Sequence, residues 1–407
     1  MRLSARLLPI ALLPLPGVAQ AQAAEPTPDT VAVTNGEQLH AAVQAAKPGT
    51  RIAIAPGDYR GGFAFTGLRG AAGSPIVLAA ADPTSPPRFV GGSTGLHLVD
   101  PRFVELHDLA FTGAAGNGVN VDDGGRSDAA PRGLVLRGLR ISDVGPRGNC
   151  DAIKLSGLTG FRVENCTLER WGIGGGSGID LVGCRDGVLA GNTLRHAADA
   201  RATGGNGIQA KGGSSRLVLR GNRFEHAGSR AVNLGGSTGL EFFRPPLAQW
   251  PGDERWEAAD LLVEGNVFVG SDAPIAFVGV DGATVRFNTL VDPGRWTLRI
   301  LQEARAPGFV PCRRGQFTDN VVVFRAAAWA SGGVNVGPGT APETFTFARN
   351  AWYCRDDPDR SRPSLPRPEQ DGLYGVDPCL DAGLRVGAQS RVRGRGADAA
   401  PDPARAR

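Results

Sequence analysis

The chain has 407 residues, of which 59 are glycine and one is methionine, and a formal net charge of +4. That glycine content suits a fold with many tight turns rather than a helix bundle. The charge is mild and no Lys/Arg run is interleaved with aromatics, which argues against nucleic acid as a partner.

The chain opens with Met1, Arg2 and Arg6, an apolar run from Leu7 to Val18, and the small-residue string Ala19 to Ala23. This is the pattern of a cleavable signal peptide over residues 1–23. The run is too short, and too interrupted by Pro9, Pro14 and Pro16, to span a membrane. No later segment reaches the about 20 apolar residues that a spanning helix needs. A secreted or periplasmic protein is expected.

No composition break divides residues 30–387, so one elongated domain is expected there. Thr34-Asn35-Gly36-Glu37 has the form of a helix N-cap with an acidic first turn, and Glu37 to Ala46 has helical apolar spacing, ended by Lys47-Pro48-Gly49. Arg51 to Ala55 reads as a first strand. The short helix would cap the open end of the solenoid that follows.

A unit of apolar residue, Asn and Leu, Phe or Val then recurs. Its asparagines are Asn165, Asn192, Asn222, Asn266, Asn288, Asn320 and Asn350. A period of about 20–30 residues with insertions marks a solenoid. The asparagines are read as a structural ladder at a left-handed bend. Each unit carries a second short alternating strand, such as Asp151–Ser156, Gly178–Val182, Gly207–Lys211 and Ala231–Gly235. Alternation means that one strand face is buried. The fold class is therefore all-β, a single-domain right-handed parallel β-helix with a short N-terminal capping helix.

Two segments interrupt the pattern. Leu240 to Trp250 is rich in Pro and aromatics and could form one wall of a cleft. Residues 388–407 have the composition of a disordered tail. Six cysteines in an exported chain suggest disulfides, with Cys354–Cys379 the preferred pair. No Cys/His spacing supports zinc.

Alternation also says which residues face out. Aligned coils give an outward column of Asn120, Lys154, Asp180, Gln209, Asn233, Ala276, Arg299 and Asn335. A neighbouring column holds Asp122, Ser156, Val182, Lys211, Gly235 and Val278. Such a polar strip suits an extended chain of hydroxylated sugars, with Lys154, Asp180, Gln209, Asn233 and Arg299 as substrate-binding candidates. Counting four residues on from the asparagines gives a third column, Glu169, His196 and His226, whose imidazoles could bind substrate or metal or move protons. Asp199 and Arg201 lie beside it.

The string Asn206-Gly-Ile-Gln-Ala-Lys211, followed by Gly221-Asn-Arg-Phe224 and Arg230-Ala-Val-Asn233, resembles the chondroitinase B and alginate lyase family of β-helical polysaccharide lyases. The strings Pro56-Gly57-Asp58-Tyr59 and Pro75-Ile-Val-Leu78 are also similar. The resemblance implies β-elimination on an acidic, uronate-containing polysaccharide, with Lys211 as base and Arg230 as acid. Family members often neutralise the substrate carboxylate with calcium held by acidic residues just before the lysine. Here those positions are Gly204 and Asn206, so the acidic calcium ligands are missing and no metal is assigned. The alternatives are a glycoside hydrolase drawing a carboxylate pair from Asp122, Asp180 and Asp199, and a non-catalytic carbohydrate-binding or adhesion solenoid. A monomer is expected.

Overall fold

The computed structural model describes residues 29–126, 129–146, 148–172, 174–198 and 205–402. The proposed signal peptide, Asp199, Arg201 and Gly204 lie outside the described residues. Each coil visits three sheets in turn. The first runs through Arg51–Ile54 (sheet A), Asp58–Arg60 (sheet B) and Phe63–Thr66 (sheet C), and Ile76–Ala80 then returns to sheet A. Repetition builds sheets of 13, 12 and 10 described strands, all paired in parallel, for example Val119–Asp122 on Ile153–Ser156. The chain is a right-handed parallel β-helix, as the repeat predicts.

Strands of two to seven residues bury too little alone, and stacking supplies the core. Leu136, Val163, Leu189, Leu219 and Val263 form one buried column inside sheet A. Inside sheet B the rings of Phe224 and Phe268 stack at 4.7 Å and 6°, which matches the spacing of about 4.8 Å between paired strands.

The asparagine ladder stands at the corner between sheets A and B. Asn222 Nδ2 donates to Asn266 Oδ1 and Asn266 Nδ2 donates to Asn288 Oδ1, each at 2.9 Å. Glu369 ends the series by accepting from the backbone N (3.0 Å) and Nδ2 (2.7 Å) of Asn350. The left-handed residue at this bend is the one before each ladder asparagine, as at Gly221 (φ 62°) and Asp319 (φ 57°). Asn165 is therefore not a rung. It occupies the left-handed position itself (φ 54°), and Cys166 takes the ladder place by donating its N–H to Asn192 Oδ1 at 2.9 Å.

The helix spans Gly36–Ala45, one residue earlier than expected. Asn35 Oδ1 accepts from Gln38 N, and Leu39 and Val43 are buried against the first coil. The tail departs from expectation. Val392 is fully buried with Val386 against Val291, Val321 and Val323 on the outer face of sheet B, and Ala397 N donates to Thr289 Oγ1 at 3.0 Å. Residues 388–402 are thus folded, because this stretch of sheet B is apolar on its outside and needs covering. The expected Cys354–Cys379 bridge is not formed: Cys354 is buried and its thiol donates to Asp356 at 3.1 Å. No helix among the described residues is long and apolar enough to cross a membrane.

Candidate active site

Sheet C carries the candidate residues, and its register matches the sequence alignment position for position. Asn120 pairs with Lys154, Lys154 with Asp180, Asp180 with Gln209 and Gln209 with Asn233. Asn233 then pairs with Ala276, Ala276 with Arg299 and Arg299 with Asn335. The column also extends backward to His97. Inward neighbours such as Ile179 and Leu181 are fully buried, which turns these side chains outward.

Asp180 is the centre of charge. Lys154 Nζ contacts both Asp180 and Asp151, the latter at 3.4 Å, and Lys211 Nζ lies 3.4 Å from Asp180 Oδ1. These are two of only three lysines in the chain, the third being Lys47, although Lys and Arg together number 44. Burial opposes the charge on Lys154, but the two carboxylates outweigh it and raise the ammonium pKa above its ordinary value. Burial, and then the charge of Asp180, push Asp151 up to about 6. Its Oδ1 accepts from Ser177 N at 2.7 Å, which fixes it under the strand start.

Lys211 and Arg230 approach the column from opposite edges. Lys211 sits at the edge leading to sheet A and reaches Gln209 Oε1 at 3.4 Å. Arg230 opens the next strand at the edge adjoining sheet B, and reaches Asn233 Oδ1 at 3.2 Å and Glu303 Oε1 at 2.7 Å. Gln209 and Asn233, paired in register, lie between them. Further along, Arg299 donates to Asn335 Oδ1 at 2.9 Å and stacks on Trp296 with its guanidinium 4.6 Å from the ring centroid.

Asp151 escaped the sequence reading, although a signal for it exists. Each strand here opens on a polar residue followed by a small one: Asn117-Gly118, Asp151-Ala152, Ser177-Gly178, Asn206-Gly207 and Arg230-Ala231. The small residue is forced. A Cβ at Gly118 would lie 2.6 Å from the Ala152 carbonyl oxygen, and one at Gly207 would lie 2.4 Å from that of Ala231. The polar partner marks the edge column to which Arg230 belongs.

The third column requires correction. His196 and His226 do occupy equivalent positions, but Glu169 does not join them. It pairs in register with Arg195 and contacts Arg170 at 3.0 Å, because counting from Asn165 shifts the alignment by one residue. His196 is buried, with its ring centroid 3.9 Å from that of Trp171. Burial, with the nearby charge of Arg170, pulls its pKa down to about 4. Trp171 Nε1 in turn donates to Asn206 O at 3.1 Å, so His196 supports the strand start from beneath. His226 adopts φ 50° at the corner and fills the space that a side chain at Gly270 would need.

The donors present do not suit calcium. The Asp151 and Asp180 carboxylates already face Lys154 and Lys211, and no cluster of three acidic, His or Cys ligands occurs among the described residues.

The insertion packs over the edge of sheet C that leads to sheet A, with Arg185 donating to Arg244 O at 3.0 Å. Its root is held by the fully buried Glu257, which accepts from Gly212 N and Thr238 N, each at 2.9 Å. Phe243 is buried beside Trp250 and Phe309, while Leu240 and Phe242 are exposed. Arg244 reaches back to Asp123, beyond strands Asn206–Lys211, Ser177–Val182 and Ile153–Ser156, and donates to its buried carboxylate at 2.8 Å.

Residues 92–244 match the family described as a right handed beta helix region. No curated protein matches the chain by sequence. Among solved structures, the alginate lyase from Paenibacillus sp. str. FPU-7 is similar with a TM-score of 0.50 at 15% identity, over 76% of this chain and 96% of that one. The PL6 family alginate lyase AlyGC is similar with a TM-score of 0.50 at 13% identity, over 90% of this chain and 56% of that one. The chain is thus a right-handed parallel β-helix protein, similar in fold to these alginate lyases.

Proposed function

We propose that the outer face of sheet C is the active site of an exported polysaccharide lyase that cleaves a uronate-containing polymer by β-elimination. The observation that carries this reading is the lysine placement. In a chain that otherwise uses arginine for positive charge, two partly exposed lysines cover one buried carboxylate on the outer side of sheet C. Lysine can shed a proton and serve as a base, whereas arginine stays charged.

A sugar ring lying over Gln209 and Asn233 would meet Lys211 on one side and Arg230 on the other. Lys154 holds the charge of Asp180 from the opposite side, which leaves Lys211 the more loosely engaged of the two ammonium groups. Neutral Lys211 takes the proton next to the uronate carboxyl group. The freed electron pair forms the ring double bond, the bond to the leaving oxygen breaks, and Arg230 hydrogen-bonds that oxygen as charge develops on it, until a water molecule supplies the proton that completes the new hydroxyl group. Asn233, Gln209 and Arg299 bind hydroxyl and carboxyl groups along the chain. No step requires a metal.

The test is a screen of alginate, pectate, glycosaminoglycans and bacterial exopolysaccharides for new ultraviolet absorbance from unsaturated ends, with and without a calcium chelator. Lys211→Ala must abolish it. New reducing ends without that absorbance would favour hydrolysis by the Asp151 and Asp180 carboxylates, the reading that the raised pKa of Asp151 supports. Binding without turnover would leave a carbohydrate-binding solenoid.

A further inference from the structure

A second organised polar group stands on the same face, separated from the lysines by Asn120. His97 Nε2 lies 2.6 Å from Asp122 Oδ2. That carboxylate is itself fixed, accepting from Asn120 Nδ2 at 3.1 Å and from Gly124 N at 2.9 Å. The His97 side chain is 33% exposed and that of Asp122 is 25% exposed, so the pair is held firmly yet opens to the groove. A carboxylate oxygen accepts, so Nε2 carries the hydrogen and the Nδ1 edge of the ring is left for another polar group. His97 Nδ1 has no partner among the described residues.

Three coil steps separate His97 from Asp180, about 14 Å at the spacing of paired strands. That distance is too long for one sugar ring to touch both and short enough for one oligosaccharide to do so. The insertion crosses part of that distance, because Arg244 anchors it on Asp123, the residue after Asp122. Both groups lie in one register column on the outer face of sheet C. Their chemistry differs: the lysines suit a carboxylate, whereas an imidazole backed by the carboxylate of Asp122 suits a neutral hydroxyl, which can donate or accept.

We propose that His97, oriented by Asp122, is a distal recognition residue that hydrogen-bonds a sugar hydroxyl of the polymer whose uronate lies at the lysines. This rests on the polysaccharide reading but not on elimination. The probes are alginate and polygalacturonate oligomers, either short (about three units) or long enough to span about 14 Å with overhang (about eight units). Calorimetric titration of the full chain should give about tenfold tighter binding of long over short oligomers. His97→Phe and Asp122→Asn should each erase most of that gain, with binding of short oligomers and the thermal midpoint unchanged. Asp122→Asn keeps the shape of the site and loses the strong acceptor, so it covers the case in which His97→Phe disturbs folding. A length gain that survives both substitutions overturns the proposal, as does absence of binding at any length. Oligomers that bind without yielding unsaturated ends keep the proposal and sink the lyase.

Discussion

Two columns of polar side chains run along this solenoid, and they differ in one respect. At the corner between sheets A and B, Asn192 to Asn350 repeat the same buried amide, each rung bonded to the next. On sheet C the equivalent spacing carries His97, Asn120, Lys154, Asp180, Gln209, Asn233, Ala276 and Arg299. Among the described residues, buried Asp180 Oδ1 has no hydrogen-bond partner, only the Lys211 ammonium 3.4 Å away. A uniform, saturated column is what stacking alone requires. A column whose chemistry changes at every step, with binding capacity left over, is selected for something other than stacking.

The comparison breaks most sharply at Lys211. Lys211→Ala should lower turnover per folded molecule by about 10²–10⁴-fold, read by product absorbance, with some loss in the chemical melt because buried Asp180 loses a cation. Asn266→Ala should do the reverse. It strips acceptors from Asn222 N and Nδ2 and should cost about 2–4 kcal/mol of stability, measured by the same melt, with turnover per folded molecule unchanged. Deleting residues 388–407 uncovers the valines of sheet B and should cost about 1–2 kcal/mol, again without touching turnover.

The smallest effect is in pH dependence. Burial and Asp180 raise Asp151 from 3.8 to about 6, so in that window the folded chain holds more protons than the unfolded one and its stability falls as pH rises. Burial and Arg170 lower His196 from 6.5 to about 4, so the folded chain holds fewer protons and stability rises with pH. The two slopes oppose each other between about pH 4 and pH 6. Asp151→Asn should leave a midpoint that climbs with pH there, and His196→Phe one that declines. A parallel response in the two variants would show that neither group titrates as its surroundings imply.

Much of this was legible in the sequence because alternation is a local signal. Strands such as Gly207–Lys211 state their own inward and outward faces, so the sheet C column from Asn120 to Asn335 could be aligned without coordinates. Anchoring on a single residue type was weaker. Cys166 stands in for asparagine at one rung, and counting from Asn165 shifted Glu169 by one place. His97 was missed although Leu96-His97-Leu98 alternates as plainly as later strands and lies one coil before Asn120. Val392 was hidden in a tail whose average composition is polar. The contact between Arg244 and Asp123 joins residues 121 positions apart, and no local pattern can announce it.

That last contact alters how the molecule comes apart. In a solenoid each coil normally leans only on its neighbours, so opening can begin at either end and travel inward. A strap from the coil of Gly235 to that of Asp123 binds the intervening coils into one block, so their amides should exchange hydrogen together, at a single rate, while the coils outside it fray separately.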